Sequence, residues 1–239
     1  MTFPGGTSVS RLTVYTGGCA DGLAGGTPHL HTASTEAYVV TAGTGALQTL
    51  DASGFRETPL RAGALVWFTP GVIHRAVNHD NLEVLVLMSN AGLPEAGDAV
   101  MTFPPEVLSS PDSYRAAAVL PSQDDDAVAR RRDSAVEGFL TLKNAAMEGD
   151  LAPLYAFYDA AAKLVQATVP RWREIWQTTV AAQTARTADV LKNLDAGDAA
   201  HLREGVVLTA PQSETAGWGM CGRLRTHDVR NPSTPGGPQ

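Results

Sequence analysis

Cysteine is scarce in this chain of 239 residues: Cys19 and Cys221 are the only two. A disulfide framework is therefore excluded, and a reducing, cytoplasmic setting is the expectation. Long apolar runs are also missing. The strongest, Val84–Met88, is far too short to cross a bilayer. Met1 to Val14 holds no basic stretch followed by an apolar one, so no secretory signal is expected. Basic residues are outnumbered, 18 Lys and Arg against 25 Asp and Glu, for a net charge of −7. That balance lacks the clustered cations that general nucleic-acid binding needs. The expected partner is a small molecule, with no nucleic acid and no membrane. With 44% hydrophobic and 18% charged residues the chain is globular, long enough for one sizeable domain and a smaller companion.

The two halves read differently. From Arg11 to Asn90 short apolar runs (Ala37–Thr41, Ala64–Phe68, Ala76–Val77, Val84–Met88) alternate with turn signals at Gly43–Gly45, Asp51–Gly54, Pro70-Gly71 and Asn78–Asn81. Many short strands without a helix-length segment between them predict an antiparallel sandwich or small barrel. Pro94, Pro104, Pro105, Pro111 and Pro121 then mark a linker from about residue 92 that leaves room for a short helix at Pro105–Ser109 or Ser113–Ala118. Beyond Pro121 the period becomes helical. Ser122 or Asp124 caps a first helix with Val128, Ala135, Val136, Phe139 and Leu142 on one stripe. Asp150 caps a second, through Leu154, Phe157 and Ala161. Pro170 opens a third, through Trp172, Ile175 and Trp176, which stops at Gly197. The expected organisation is a β domain over residues 1–121, three helices over 122–200, a segment over 201–230 able to pack back on the barrel, and a disordered tail over 231–239. Within 201–230, Val206–Leu208 reads as a strand.

The residues that carry chemistry are His29, His31, Glu36 and His74. Alternate side chains of a strand share a face, so His29 and His31 project together. Glu36 breaks that parity and requires a turn at Thr32–Thr35, after which Glu36, Tyr38 and Val40 share one side. His74 arrives on a third strand through the Pro70-Gly71 turn. Three neutral imidazoles and one carboxylate suit one divalent transition metal, and this donor set does not choose among Fe, Mn, Zn, Ni and Cu.

At these positions the sequence resembles the cupin superfamily. Its first motif appears as His29, His31, Glu36 and Gly43, its second as Gly63, Pro70, Gly71, His74 and Asn78. Leu23 stands where a glycine is usual, and Thr69 where the proline is usual. The resemblance covers about residues 10–90. It implies a mainly β fold, an antiparallel double-stranded β-helix or jelly-roll-like barrel, followed here by an α-helical C-terminal region. It further implies a metal held inside the barrel by His29, His31, Glu36 and His74, and often a homodimer. Three functions are open: dioxygenase-like chemistry first; a metal-dependent isomerase, epimerase or lyase, with Glu36 as base and Tyr38 as proton donor; or a non-catalytic ligand-binding cupin.

Other features carry blander expectations. The loop from Gly17 to Gly26 lacks a lysine–serine/threonine ending, so it is no phosphate loop and reads as a flexible entrance to the barrel. Arg130–Arg132 reads as a solvated helix face, Trp172 and Trp176 as core, and Cys221 as an inert buried thiol. His79, His201 and His227 have no spacing partner. The barrel half holds only Arg11, Arg56, Arg61 and Arg75 for a phosphate, while Val40, Trp67, Phe68, Leu85 and Met88 read as apolar lining or core. Gly217–Val229 reads as an edge strand or as a cover over the site, with Arg223 and Arg225 at its mouth or on a solvated edge.

Overall fold

The described residues form a sheet of nine strands: β1 Ser8–Val14, β2 His29–His31, β3 Glu36–Asp51, β4 Gly54–Arg61, β5 Leu65–Phe68, β6 Ile73–Met88, β7 Ala99–Met101 and, from the far end of the chain, β8 Gly217–Trp218 and β9 Gly222–Thr226. The computed structural model describes residues 3–235. Two long antiparallel partners, β3 and β6, run through both layers of the barrel. Glu36–Val40 pairs with Val84–Met88 in a layer completed by β5 on one side and β1, β9 and β8 on the other. Gly45–Leu50 pairs with Ile73–Asn78 in a second layer with β4, β2 and β7. Between the halves the register slips three times, at Val40–Gly45.

These slips correct two of the expected turns. Gly43–Gly45 and Asn78–Asn81 are bends inside continuous strands. Gly43 has φ of +73°, and a Cβ there would run into the backbone carbonyls of Asp80 and Asn81. Asn78 is buried and pins the opposite side: its Nδ2 donates to the Val14 carbonyl at 2.9 Å and its Oδ1 accepts from Leu82 N at 3.1 Å. A bulge bends a strand without ending it, which lets two strands serve two layers.

Strand alternation then sorts the core. Leu12, Val14, Tyr38, Val40, Leu47, Phe68, Val84 and Val86 fill the barrel interior. Leu30, Leu50, Ile73, Val100 and Phe103 point the other way, against Phe139, Leu142, Leu154 and Phe157 of the helical region. The helices are α1 Pro111–Ala118, α2 Asp125–Met147, α3 Ala152–Val165, α4 Val169–Trp176 and α5 Ala182–Asp195. Asp124 caps α2, its carboxylate accepting from Ala127 N at 2.8 Å. Gly138 lets α2 sit on the chain beyond β7, where any Cβ would meet the Thr102 carbonyl. The expected break before Pro170 is absent: a 3₁₀ turn (Gln166–Thr168) and a π turn (Gln177–Ala181) join α3, α4 and α5 with helical backbone from Ala152 to Asp195.

Other expectations are corrected too. Trp172 is buried, but Trp176, Leu65 and Trp67 are exposed, because Trp67 lies on the outer parity of β5 while Phe68 faces in. Arg132 is buried and donates to the Gly18 and Gly25 carbonyls; Arg131 donates to the Ala118 and Gly219 carbonyls. The glycine-rich loop is thereby tied down, with Arg75, itself buried, paired to Asp21. Val206–Leu208 follows a 3₁₀ turn as exposed, unpaired chain. In the expected tail, Ser233 pairs with Thr209; residues 236–239 lie outside the described residues. No helix among the described residues is long and apolar enough to cross a membrane.

Candidate metal centre

β2 contributes His29 and His31 side by side. Leu30 between them faces the helices, so all three residues are buried, for opposite reasons. The chain turns at Thr32–Thr35 and Glu36 opens β3, with Tyr38 and Val40 on the same inward parity. The Thr69–Val72 turn closes despite its late proline: Val72 N donates to Thr69 and Gly71 N to the His31 carbonyl at 3.0 Å. It delivers His74 opposite His29 in the β2–β6 pairing. The candidate ligand atoms of His29, His31, Glu36 and His74 lie within 4.8 Å of one another, and all four residues are buried.

The far nitrogen of each imidazole is already engaged. His29 Nδ1 donates to the Thr27 carbonyl at 2.8 Å, His74 Nδ1 to the Val72 carbonyl at 3.1 Å, and His31 Nδ1 to Asp98 Oδ1 at 2.7 Å. A carbonyl oxygen can only accept, so the proton sits on Nδ1 and Nε2 is turned to the centre. Glu36 Oε2 lies 3.0 Å from His31 Nε2 and 3.1 Å from His74 Nε2. Neither approach is aligned as a hydrogen bond, and Glu36 Oε2 and His74 Nε2 remain buried without a partner. Converging unpaired donors in the interior are costly unless a cation sits among them. The residues fit a divalent metal with three nitrogens and one oxygen.

Electrostatics follow from this packing. Burial holds His29 well below the usual imidazole range, reinforced by its two histidine neighbours. Burial also opposes charge on His31, but Asp98 and Glu36 outweigh it and raise His31 from 6.5 to about 10. Burial likewise opposes charge on Glu36, yet its contacts with His31 and His74 bring its carboxyl well below the carboxylate range. Without metal, His31 is therefore a cation held between two carboxylates. Burial raises Tyr38 well above 10 and Cys221 to about 12, so that thiol is inert. The two touch, Tyr38 Oη lying 3.9 Å from Cys221 Sγ.

His29, His31 and Glu36 line a cavity of about 230 Å³ together with Leu12, Val86, Met88, Met220 and Cys221 and with Ser8, Glu95, Thr226 and His227. The C-terminal segment is thus both things the sequence allowed. β9 adds an edge strand to β1, and Met220 and Cys221 line the cavity, held by Thr27 N to the Met220 carbonyl at 2.9 Å. Arg223 and Arg225 are not at the mouth. They bond the Ala216 and Glu214 carbonyls on the outer face of the sheet, because Leu224 between them takes the inward parity. Asp98 is the residue that sequence reasoning missed. It sits in the linker, just before β7, and reaches His31 only because β7 pairs with β2.

Comparison with known proteins agrees with this architecture. Residues 20–89 match the family model described as Cupin domain. No curated protein matches the chain. Among solved structures it is similar to the nucleoside dehydratase Pac13 of Streptomyces, at 17% identity and a TM-score of 0.30 over 39% of this chain and 66% of that one. It is similar to an oxalate oxidase solved with glycolate, at 20% identity and 0.25 over 36% and 51%. A predicted oxalate decarboxylase from Thermotoga maritima aligns at 20% identity and 0.26 over 35% and 64%. Each alignment covers just under two thirds of the other chain or less. The chain carries a cupin domain at residues 20–89, built around the buried cluster of His29, His31, Glu36 and His74.

Proposed function

We propose that this protein is a metal-dependent enzyme acting on a small organic molecule, with oxygenase-like chemistry as the leading reading. One observation carries it: the three imidazoles are fixed from behind, and three of the four donors, His29, His31 and Glu36, open to a cavity on one side. A structural metal site is closed by its four ligands, whereas a reactive one keeps positions free. A divalent transition metal there supplies Lewis acidity and, when redox-active, the activation of dioxygen. The chain's own residues do the rest. Thr27, Val72 and Asp98 orient the imidazoles, Glu36 balances charge, and Met220, Cys221 and Leu12 exclude water. Tyr38 does not line the cavity, so in this reading it supports Glu36 from behind and does not pass a proton to substrate. In the isomerase or lyase alternative the proton would come from another group on the wall, such as Glu95 or His227, and not from Tyr38.

The test is anaerobic loading with ferrous iron, metal analysis, and exposure to nitric oxide as a stand-in for dioxygen, followed by electron paramagnetic resonance. We expect one metal per chain and a nitric oxide signal that is lost in His31→Ala and His74→Ala. Metal bound without any such signal would exclude oxygenase-like chemistry. Full metal content in a His29→Ala/His31→Ala double variant would exclude the site itself.

A further inference from the structure

Strand alternation puts a cluster of cations on the face of β1 and β9 that turns away from the metal centre. Leu12 and Leu224 turn inward, so their neighbours Arg11, Thr13, Arg223 and Arg225 turn outward. In the β1–β9 register Arg11 stands directly opposite Arg225, and Thr13 opposite Arg223. Like charges in directly opposed positions work against strand pairing. The chain holds 25 acidic residues against 18 basic ones, so carboxylates are plentiful. Yet among the described residues none forms an ion pair with Arg11, Arg223 or Arg225. The three arginines share one cavity of about 330 Å³ with Thr13, Glu83 and Gln212. Three cations against one carboxylate leave its wall with a net charge of +2.

Two of the guanidiniums are held in place. Arg223 lies over the Trp218 ring, 3.8 Å from its centre, and donates from Nη2 to the Ala216 carbonyl. Arg225 Nη1 donates to the Glu214 carbonyl at 2.7 Å. Each of these bonds uses one of a guanidinium's five N–H groups, and Arg223 Nε is buried without a partner. Fixed planar forks with unspent donors recognise oxyanions bidentately. A phosphoryl group carries close to two negative charges at neutral pH, which matches this wall where the single charge of a carboxylate does not. We infer that the outer face of β1 and β9 is an anion site, separate from the metal centre, that takes the phosphoryl dianion of a small soluble molecule, either inorganic phosphate or a phosphate monoester.

The protein as purified is titrated calorimetrically with inorganic phosphate and with glycerol 3-phosphate, and the tighter of the two names the source. One saturable site per chain is expected. Affinity should fall about 10- to 100-fold in Arg11→Gln, the loss of a hydrogen bond to a charged group. Binding should vanish in Arg11→Gln/Arg225→Gln and stay unchanged in His31→Ala. No saturable binding of either probe overturns the site. Binding that survives in the double arginine variant and is lost in His31→Ala places the anion on the metal centre, and overturns it as well. Co-sedimentation with phosphatidic acid vesicles, when neither free probe binds, would assign the face to a lipid surface and end the small-molecule reading. Thermal melts without phosphate keep the variants interpretable. Arg11→Gln removes a like-charge opposition and should melt no lower than wild type. A lower melting point would make Arg11 a support of the sheet, and the inference would fall.

Discussion

Asp98 decides how His31 behaves. Its carboxylate holds the imidazole's Nδ1 proton at 2.7 Å, turns Nε2 toward the centre and raises the basicity of the ring. A ring that ionises near 10 is protonated at neutral pH, so a metal must displace one proton from it. Metal binding at pH 7 should release close to one proton per site, read by calorimetry in buffers of different ionisation heat. Release near zero would show that His31 is not a ligand. In Asp98→Asn the ring loses its anionic partner. We expect less proton release and metal affinity about 10- to 100-fold weaker in a chelator competition. Unchanged affinity would reduce Asp98 to a packing residue. The four members of the cluster were legible in the sequence because strand parity is local: His29 and His31 two apart, Glu36 beyond a turn. Asp98 was not, because its reach depends on the pairing of β7 with β2 across 67 positions of chain.

Elements were legible where one periodicity dominates and illegible where tertiary contacts override it. The stripes of α2 and α3 stood out because Phe139, Leu142, Leu154 and Phe157 recur at helical spacing and pack on one sheet face. Gly43 and Asn78 looked like turn signals because nothing local separates a turn from a bulge within a strand pair. Arg130–Arg132 looked like solvated charge, yet the Arg132 guanidinium fastens α2 to the loop that leads into β2, bonding the Gly18 and Gly25 carbonyls at 2.7 and 3.1 Å. Those carbonyls lose their donors in Arg132→Ala, and the residue also leaves a void. A loss of about 2–4 kcal/mol is expected in denaturant unfolding, with faster amide exchange over residues 18–25. Arg130→Ala, on the exposed side of the same helix, should change little. Equal losses from the two would mean that the helix, and not the tether, sets the effect.

For the molecule as a whole, the proposed metal binding would be linked to folding through the same proton. Three of the cluster's residues stand on β2 and β6 and the fourth on β3, so the cluster exists only when both layers have closed. In the metal-free protein His31 ionises at about 10, against 6.5 unfolded. A raised value stabilises the fold fully below 6.5, and that contribution is lost as pH climbs toward 10, at up to ~1.4 kcal/mol per pH unit. Glu36 is shifted the other way, so its contribution is complete above the ordinary carboxylate range and does not change in this window. Metal-loaded protein has already given up the His31 proton, so it lacks this loss over the same range. From about pH 6.5 to 8 the metal-free melting temperature should therefore fall relative to the loaded one. With ~2–4 °C per kcal/mol for a chain of this size, the gap should widen by several degrees. Calorimetric scans with and without chelator, in wild type and His31→Ala, separate this from general pH effects. The variant should show no metal-dependent shift at either pH and no widening. A gap that narrows with pH in the wild type would mean that His31 is not the proton-bearing ligand, and the charge assignment at the centre would have to be reversed.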